Sequence, residues 1–251
     1  MRSSDRHNRN REVLSAVIES HIKTSDAISS EDICPHFDCS SATVRNTMSE
    51  LEELGYLTHM HTSGGRVPTD KGYRYYVDML LTQMRLLEEE KKRLTRQYQR
   101  QISVLDDILE KTSEVLSSFT HCTGIVSFLN KGNKIYYNGT SFMTEHPEFR
   151  NIEKIRNVLK VLEEKKQLLD ILNRNLEKKL NVYIGGELEC EEISGCSLIV
   201  STYDVENKPL GRIAVLGPRS MNYSQVIPTI EYVSGLISKA LENLQENRFQ
   251  Q

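Results

Sequence analysis

No stretch of these 251 residues approaches the roughly 20 consecutive apolar positions that a bilayer-crossing helix needs. The opening residues, MRSSDRHNRNRE, also lack the apolar core of a secretory leader, so a cytoplasmic protein without membrane contact is expected. An excess of positive charge is missing as well, since 32 Lys and Arg stand against 35 Asp and Glu for a net charge of -3. A surface that attracts nucleic acid everywhere is thereby excluded, and any phosphate contact has to come from a local patch. Cysteine is scarce and odd in number. Cys34, Cys39, Cys122, Cys190 and Cys196 are scattered, which suits reduced thiols and not a disulfide framework. Cys34, His36 and Cys39 offer ligand types without the paired spacing of a zinc site, so no metal is expected. Gly185-Gly186-Glu187 lacks the setting and the lysine of a phosphate loop, and no Ser-His-Asp or metalloprotease pattern occurs. The expectation is a chain with no catalytic residue and no cofactor, free of internal repeats and low-complexity tracts.

What is present is a 38% hydrophobic content, enough for a small head and a larger second domain. Val13, Leu14, Val17, Ile18 and Ile22 recur at helical spacing and predict a first amphipathic helix. Ser29-Ser30 before Glu31-Asp32-Ile33 places a hydroxyl cap and acidic residues at the start of a short second helix, confined by Pro35. A third helix is predicted from Ser41, with Val44, Met48, Leu51 and Leu54 on one stripe and Gly55 as its terminator. The run Tyr56 to His61, the turn Ser63-Gly64-Gly65 and Arg66-Val67-Pro68 then read as a two-stranded wing. Thr69-Asp70 caps a further helix carrying Tyr73, Tyr76, Val77 and Leu80.

From Leu80 to Phe119 apolar residues fall near heptad spacing, interrupted by Lys91 and Thr112. One long helix is expected, packed either on its own domain or across a dimer, with the dimer preferred. Beyond it, strands at Gly124 to Leu129, Lys134 to Asn138, Asn181 to Ile184, Ser197 to Asp204 and Leu210 to Leu216 alternate with a helix from Ile152 to about Leu180 and a last helix through Leu241. The fold class is α+β: a winged helix-turn-helix over residues 1–80, a helical linker over 81–120 and a mixed α/β domain over 121–251.

In such a motif the N-terminal part of the third helix enters the major groove and carries short or hydrogen-bonding residues. With Val44, Met48 and Leu51 inward, Ala42, Asn46 and Ser49 face out and Thr43 and Arg45 flank them. Asn46 can pair two-fold with adenine, Arg45 can take a guanine edge or a phosphate, and Ser40 or Ser41 can hold phosphate at the helix start. His59, His61, Thr62, Ser63 and Arg66 supply donors along the wing, and Lys71 and Arg74 extend the basic edge. Glu50, Glu52 and Glu53 repel phosphate and are expected away from the duplex. The partner implied is double-stranded DNA.

The stretch SSATVRNTMSELEELGYLTHMHTSGGRVPTDKGYRYYV, from Ser40 to Val77, resembles the winged head of the HrcA heat-inducible transcription repressors. A second match runs from Tyr137-Asn138-Gly139-Thr140-Ser141 through HPEFRNIEKIRNVLKVLEEKKQLLDIL to GCSLIVSTYDVENKPLGRIAVLGPRSMNYSQVIPTIEYV and resembles that family's GAF-like domain. The resemblance implies a homodimer on an inverted-repeat operator of the CIRCE type, upstream of chaperone operons. It also implies the GroE chaperonin as the modulator of repression. Ordinary members carry an inserted dimerisation domain before the motif matching YYNGTSF, where this chain has only His121 to Ile135. Either the helix from Leu80 to Phe119 or the GAF-like surface then has to replace that dimer interface. Thr47 stands where an acidic residue is expected, and His59-Met60 replaces a Gln-Pro type pair.

Two other readings come from the residues. Winged helices also dock proteins, which suits the acidic balance of the chain. A ligand pocket lined by Tyr136, Tyr203 or Tyr223 would make a metabolite-responsive regulator, although aromatic core packing accounts for the same residues. Cys190 and Cys196, near a predicted strand, read as small buried hydrophobes in preference to redox sensors.

Overall fold

Side chains of Ser29, Ser40, Thr69 and Asn151 cap four helix starts among the described residues. The computed structural model describes residues 3–59, 65–82, 88–98, 105–129, 134–206 and 208–249. The chain divides into two units, Met1–Gln83 and Met84–Gln251.

In the first unit, α1 (Ser3–Thr24) buries Val13, Leu14, Val17 and Ile18. α2 (Ser30–Ile33) opens on a reciprocal cap, with Ser29 Oγ accepting from the Asp32 N–H and the Asp32 carboxylate accepting from the Ser29 N–H. A single 3-10 turn over Cys34–His36, with Pro35 in its first turn, leads towards α3 (Ser41–Glu53). Ser40 caps α3, and Gly55 at φ 76° releases the chain after it. β1 (Leu57–His59) and β2 (Arg66–Pro68) pair antiparallel, Leu57 opposite Pro68 and His59 opposite Arg66. Ile28 adds a third edge by exchanging both backbone hydrogen bonds with Arg66. α4 (Asp70–Leu81) is capped by Thr69 Oγ1, which accepts from the Gly72 N–H. A Cβ at Gly72 would lie 2.3 Å from the Tyr56 carbonyl oxygen, so only glycine lets α4 cross the chain this closely.

The second unit is built on a five-stranded antiparallel sheet in the order β4-β3-β7-β6-β5. Its strands are β3 (Thr123–Phe128), β4 (Lys134–Asn138), β5 (Leu180–Ile184), β6 (Cys196–Val205) and β7 (Lys208–Pro218). Alternation along each strand sends Ile125, Leu198, Val200, Ala214 and Leu216 to one face. There they form a core with Val158, Val161 and Leu162 of α7 (Ile152–Glu163) and Leu168, Ile171 and Leu172 of α8 (Lys165–Leu172). The other face carries α6 (Leu105–Thr120) and α9 (Tyr223–Phe249), which also pack on each other. α5 (Glu88–Tyr98) packs beside α6 and α9.

The segment expected as a linker behaves differently. α4 ends at Leu81, and α6 belongs to the second unit, where Ile108, Leu109, Val115 and Leu116 are fully buried. Thr112, which breaks the heptad pattern in sequence, is buried with them and donates its hydroxyl to the Ile108 carbonyl at 2.7 Å. The preference for a dimer seam is therefore corrected for α6, whose stripe is covered by its own sheet and α9. The single helix expected from Ile152 to Leu180 is two helices broken at Glu164, whose φ of -79° and ψ of 75° leave the helical region.

Candidate nucleic-acid interface

α3 presents a polar face at its N-terminal half. Val44, Thr47, Met48 and Leu51 turn inward, which leaves Ala42, Arg45 and Asn46 exposed. The Asn46 amide, carrying both a donor and an acceptor, is open to solvent on the part of the helix that a major groove receives. Arg45 Nη2 stands 3.8 Å from the Glu31 carboxylate, an exposed pairing that a phosphate or guanine can outcompete. Ser40 Oγ accepts from the Thr43 N–H at 3.3 Å and lies 3.0 Å from Thr43 Oγ1. Ser41 Oγ, half-buried, is 3.3 Å from Ser30 Oγ on α2. Ser40, Ser41, Thr43, Arg45 and Asn46 are thus brought together at one helix end. Thr47 is buried and donates to the Thr43 carbonyl, which explains how a neutral residue sits at that position.

The basic edge expected along the wing is differently placed. Arg66 is only 8% exposed. Its Nε donates to Glu52 at 3.0 Å and its Nη2 to Ser49 Oγ at 2.9 Å, both on α3. The expectation that Arg66 reaches phosphate is corrected: its guanidinium is occupied in joining β2 to α3. Ser49, expected outward, is half-buried as the acceptor of that bond. The same Glu52 carboxylate lies 3.3 Å from His59 Nε2 on β1. Lys71 Nζ donates to the Leu54 carbonyl at 2.7 Å and lies 4.6 Å from the centre of the Tyr56 ring. Arg74 Nη1 is 3.6 Å from Asp78. His61, Thr62 and Ser63 lie outside the described residues. Sequence reasoning missed Glu52 and Ser49 as ligands of Arg66. Their spacing of three on one helix was the available signal, and it does not reveal which strand comes to meet them.

In the second unit the three tyrosines do not converge. Tyr203 is fully buried and donates to the Ser127 carbonyl at 2.8 Å. Tyr223 is buried 2.7 Å from Ser197 Oγ. Tyr136 instead sits at the sheet edge beside Asp106. Burial pushes the thiols of Cys122 and Cys196 up to about 12, so neither is a ready thiolate. Among the described residues no group of three metal-ligating side chains forms, and no helix is long and apolar enough to cross a membrane.

Residues 7–79 match the family model of the winged helix-turn-helix transcription repressor HrcA, DNA-binding, and residues 127–227 match that of the HrcA protein C terminal domain. The heat-inducible transcription repressor HrcA of Carboxydothermus hydrogenoformans is 28% identical to this chain, over 94% of it and 98% of that protein. The corresponding repressor of Geobacter sulfurreducens is 29% identical, over 95% of this chain and 99% of its own length. The first alignment runs to 335 positions against 251 residues here, so a long run of that relative stands opposite no residue of this chain. A crystal structure described as that of a hypothetical protein shares the fold, with a TM-score of 0.78 at 17% identity over 94% of this chain and 98% of that one. From its winged DNA-binding head to its C-terminal domain, the chain belongs to the HrcA family of transcription repressors.

Proposed function

We propose that this repressor of heat-shock genes works in the cytoplasm as a homodimer, placing one α3 in the major groove of each half of a CIRCE-type inverted repeat. A two-fold symmetric pair of heads suits half-sites roughly 34 to 36 Å apart, or a multiple of that, and occupancy blocks transcription initiation. The observation that carries the reading is the exposed Asn46 amide, flanked by Arg45 and by the Ser40 cap at the start of α3. Asn46 reads adenine, Arg45 takes a guanine edge or a phosphate, and Ser40, Ser41 and Thr43 hold the backbone at the helix N-terminus. His61, Thr62 and Ser63 extend the contact from the wing, and Lys71 and Arg74 contribute positive potential at its base. The second unit serves as a GAF-like regulatory domain, and the GroE chaperonin modulates repression, as the family resemblance implies.

A second reading is favoured by the internal engagement of Arg66, Lys71 and Arg74: the winged unit docks a protein partner. Fluorescence anisotropy on a CIRCE-type duplex and a scrambled duplex, at two salt concentrations and with chaperonin absent or present, separates the two. A specific repressor prefers its operator by about a thousandfold or more, with affinity falling steeply as salt rises. Equal, weak binding to both duplexes would reject the operator reading and leave the protein partner.

A further inference from the structure

Arg212 is buried in the second unit, and no salt bridge among the described residues answers its charge. It lies on β7, opposite Ser127 of β3 and Thr202 of β6, and none of it reaches solvent. Strand alternation puts it on the same face as Ala214 and Leu216, the face packed under α7 and α8. Nη1 donates to Thr202 Oγ1. Nε and Nη2 are buried and meet no acceptor among the described residues. Those two nitrogens share one edge of the guanidinium and form the fork that grips a carboxylate or phosphate with two parallel hydrogen bonds.

The surroundings place this fork near the surface of the unit. The Thr202 N–H donates to the Lys179 carbonyl, so the row that holds Arg212 runs out to the start of β5. Tyr183 of β5, opposite Leu198 and packed on the same face of the sheet, donates its hydroxyl to the Arg174 carbonyl at 3.3 Å. The turn 173–179, in which Asn175 through Lys179 are exposed, is the surface segment tied to Tyr183 and to the backbone of Thr202. At the start of that turn, Asn173 Oδ1 is another buried polar atom with no partner among the described residues.

An unpaired cation in a protein interior is strongly unfavourable, because water no longer solvates it and no anion replaces that water. A bridging water would satisfy the N–H groups and leave the charge unanswered, whereas an oxyanion answers both. We propose that the Nε and Nη2 edge of Arg212 anchors a site for a small oxyanion, a carboxylate or a phosphate group, entered by displacement of the turn 173–179. Thr202 keeps the guanidinium oriented, and the bound anion ties the turn to the sheet.

The test is calorimetric titration and thermal melting of the full chain in Tris-chloride at constant ionic strength, with inorganic phosphate, acetate and succinate as separate probes. At least one probe is expected to bind and, at about a hundredfold over its Kd, to raise the melting of the second unit by roughly 5 to 10 °C. Phosphate alone responding would define a phosphate site, and acetate or succinate alone a carboxylate site. Arg212→Met should fold, since an apolar side chain replaces an unpaired charge, and should lose the response entirely. Arg212→Lys keeps the charge without the fork and should bind about tenfold more weakly or worse. The proposal is overturned if no probe binds wild type up to about 20 mM, or if the Met or Lys variant responds as wild type does.

Discussion

Arg66 on β2 reaches across to Glu52 on α3, with Nε 3.0 Å from the carboxylate, and its Nη2 adds a bond to Ser49 Oγ one helical turn earlier. The guanidinium thereby holds the wing strand against the helix that carries Asn46. Both side chains are largely shielded from water, at 10% and 30% exposure, so their attraction is less screened than that of a surface pair. The cation is thus committed to holding β2 against α3.

Arg66→Ala should therefore destabilise the winged unit by about 2 kcal/mol, since it strands a partly buried Glu52 and removes two hydrogen bonds. Arg66→Lys should recover only part of that loss. Urea unfolding followed by circular dichroism measures both, and operator titrations over a salt series supply the second readout. The slope of log affinity against log salt should stay as in wild type. A flattened slope with unchanged stability would return Arg66 to the phosphate backbone.

Asn46→Ala should weaken operator binding by about 1 to 3 kcal/mol and relax preference at one base pair, because the two-fold contact to adenine is lost. Competition titrations against duplexes substituted one position at a time test this. Undiminished discrimination at every position would remove Asn46 from the readout.

Gly72→Ala reverses the usual helix trend. In an open helix interior the change gains roughly 0.5 to 1 kcal/mol, but here the new Cβ meets the Tyr56 carbonyl oxygen at 2.3 Å. A net loss of about 1 to 3 kcal/mol is expected as α4 is forced off the chain beneath it. Thermal melting of the variant decides the sign.

Native thiol titration at pH 8 should find Cys34 and Cys39, both half-buried, reacting ahead of the buried Cys122 and Cys196. The folded pKa of Cys122 and of Cys196 is raised from 9.0 to about 12, so each contribution to stability is complete below pH 9 and is lost as pH rises towards 12. Replacing Cys122 by Ala should shrink the alkaline fall in stability across that window. Rapid labelling of Cys122 in the native protein would contradict its burial.

Much of the architecture was legible from local chemistry. The Ser29, Ser40 and Thr69 caps act on N–H groups three residues ahead, and the Val44, Met48, Leu51 stripe needs only the helical period. The wing strands and the five strands of the second unit fall within two residues of their expected ends. The outward placement of Ala42 and Asn46 follows from the same period, as does the inward turn of the three apolar residues. The break at Glu164 was not legible, since nothing in KVLEEKKQLL interrupts the apolar helical pattern.

By itself, then, the sequence determined the strands, the capped starts of α2, α3 and α4 and the polar face of α3, because those depend on residues within one helical turn or one strand period of each other. Tertiary structure alone decided which partners distant side chains find. Arg66 reads as a free wing cation until packing brings it to a carboxylate 14 positions away. The Leu105 to Thr120 stripe reads as a dimer seam until β3 and α9 cover it. Arg212 is one basic residue in a strand until β3 and β6 bury it between Ser127 and Thr202, with no anion among the described residues to meet its Nε and Nη2. Charge and hydrophobic pattern state what a side chain needs, and only the packed fold settles whether that need is met.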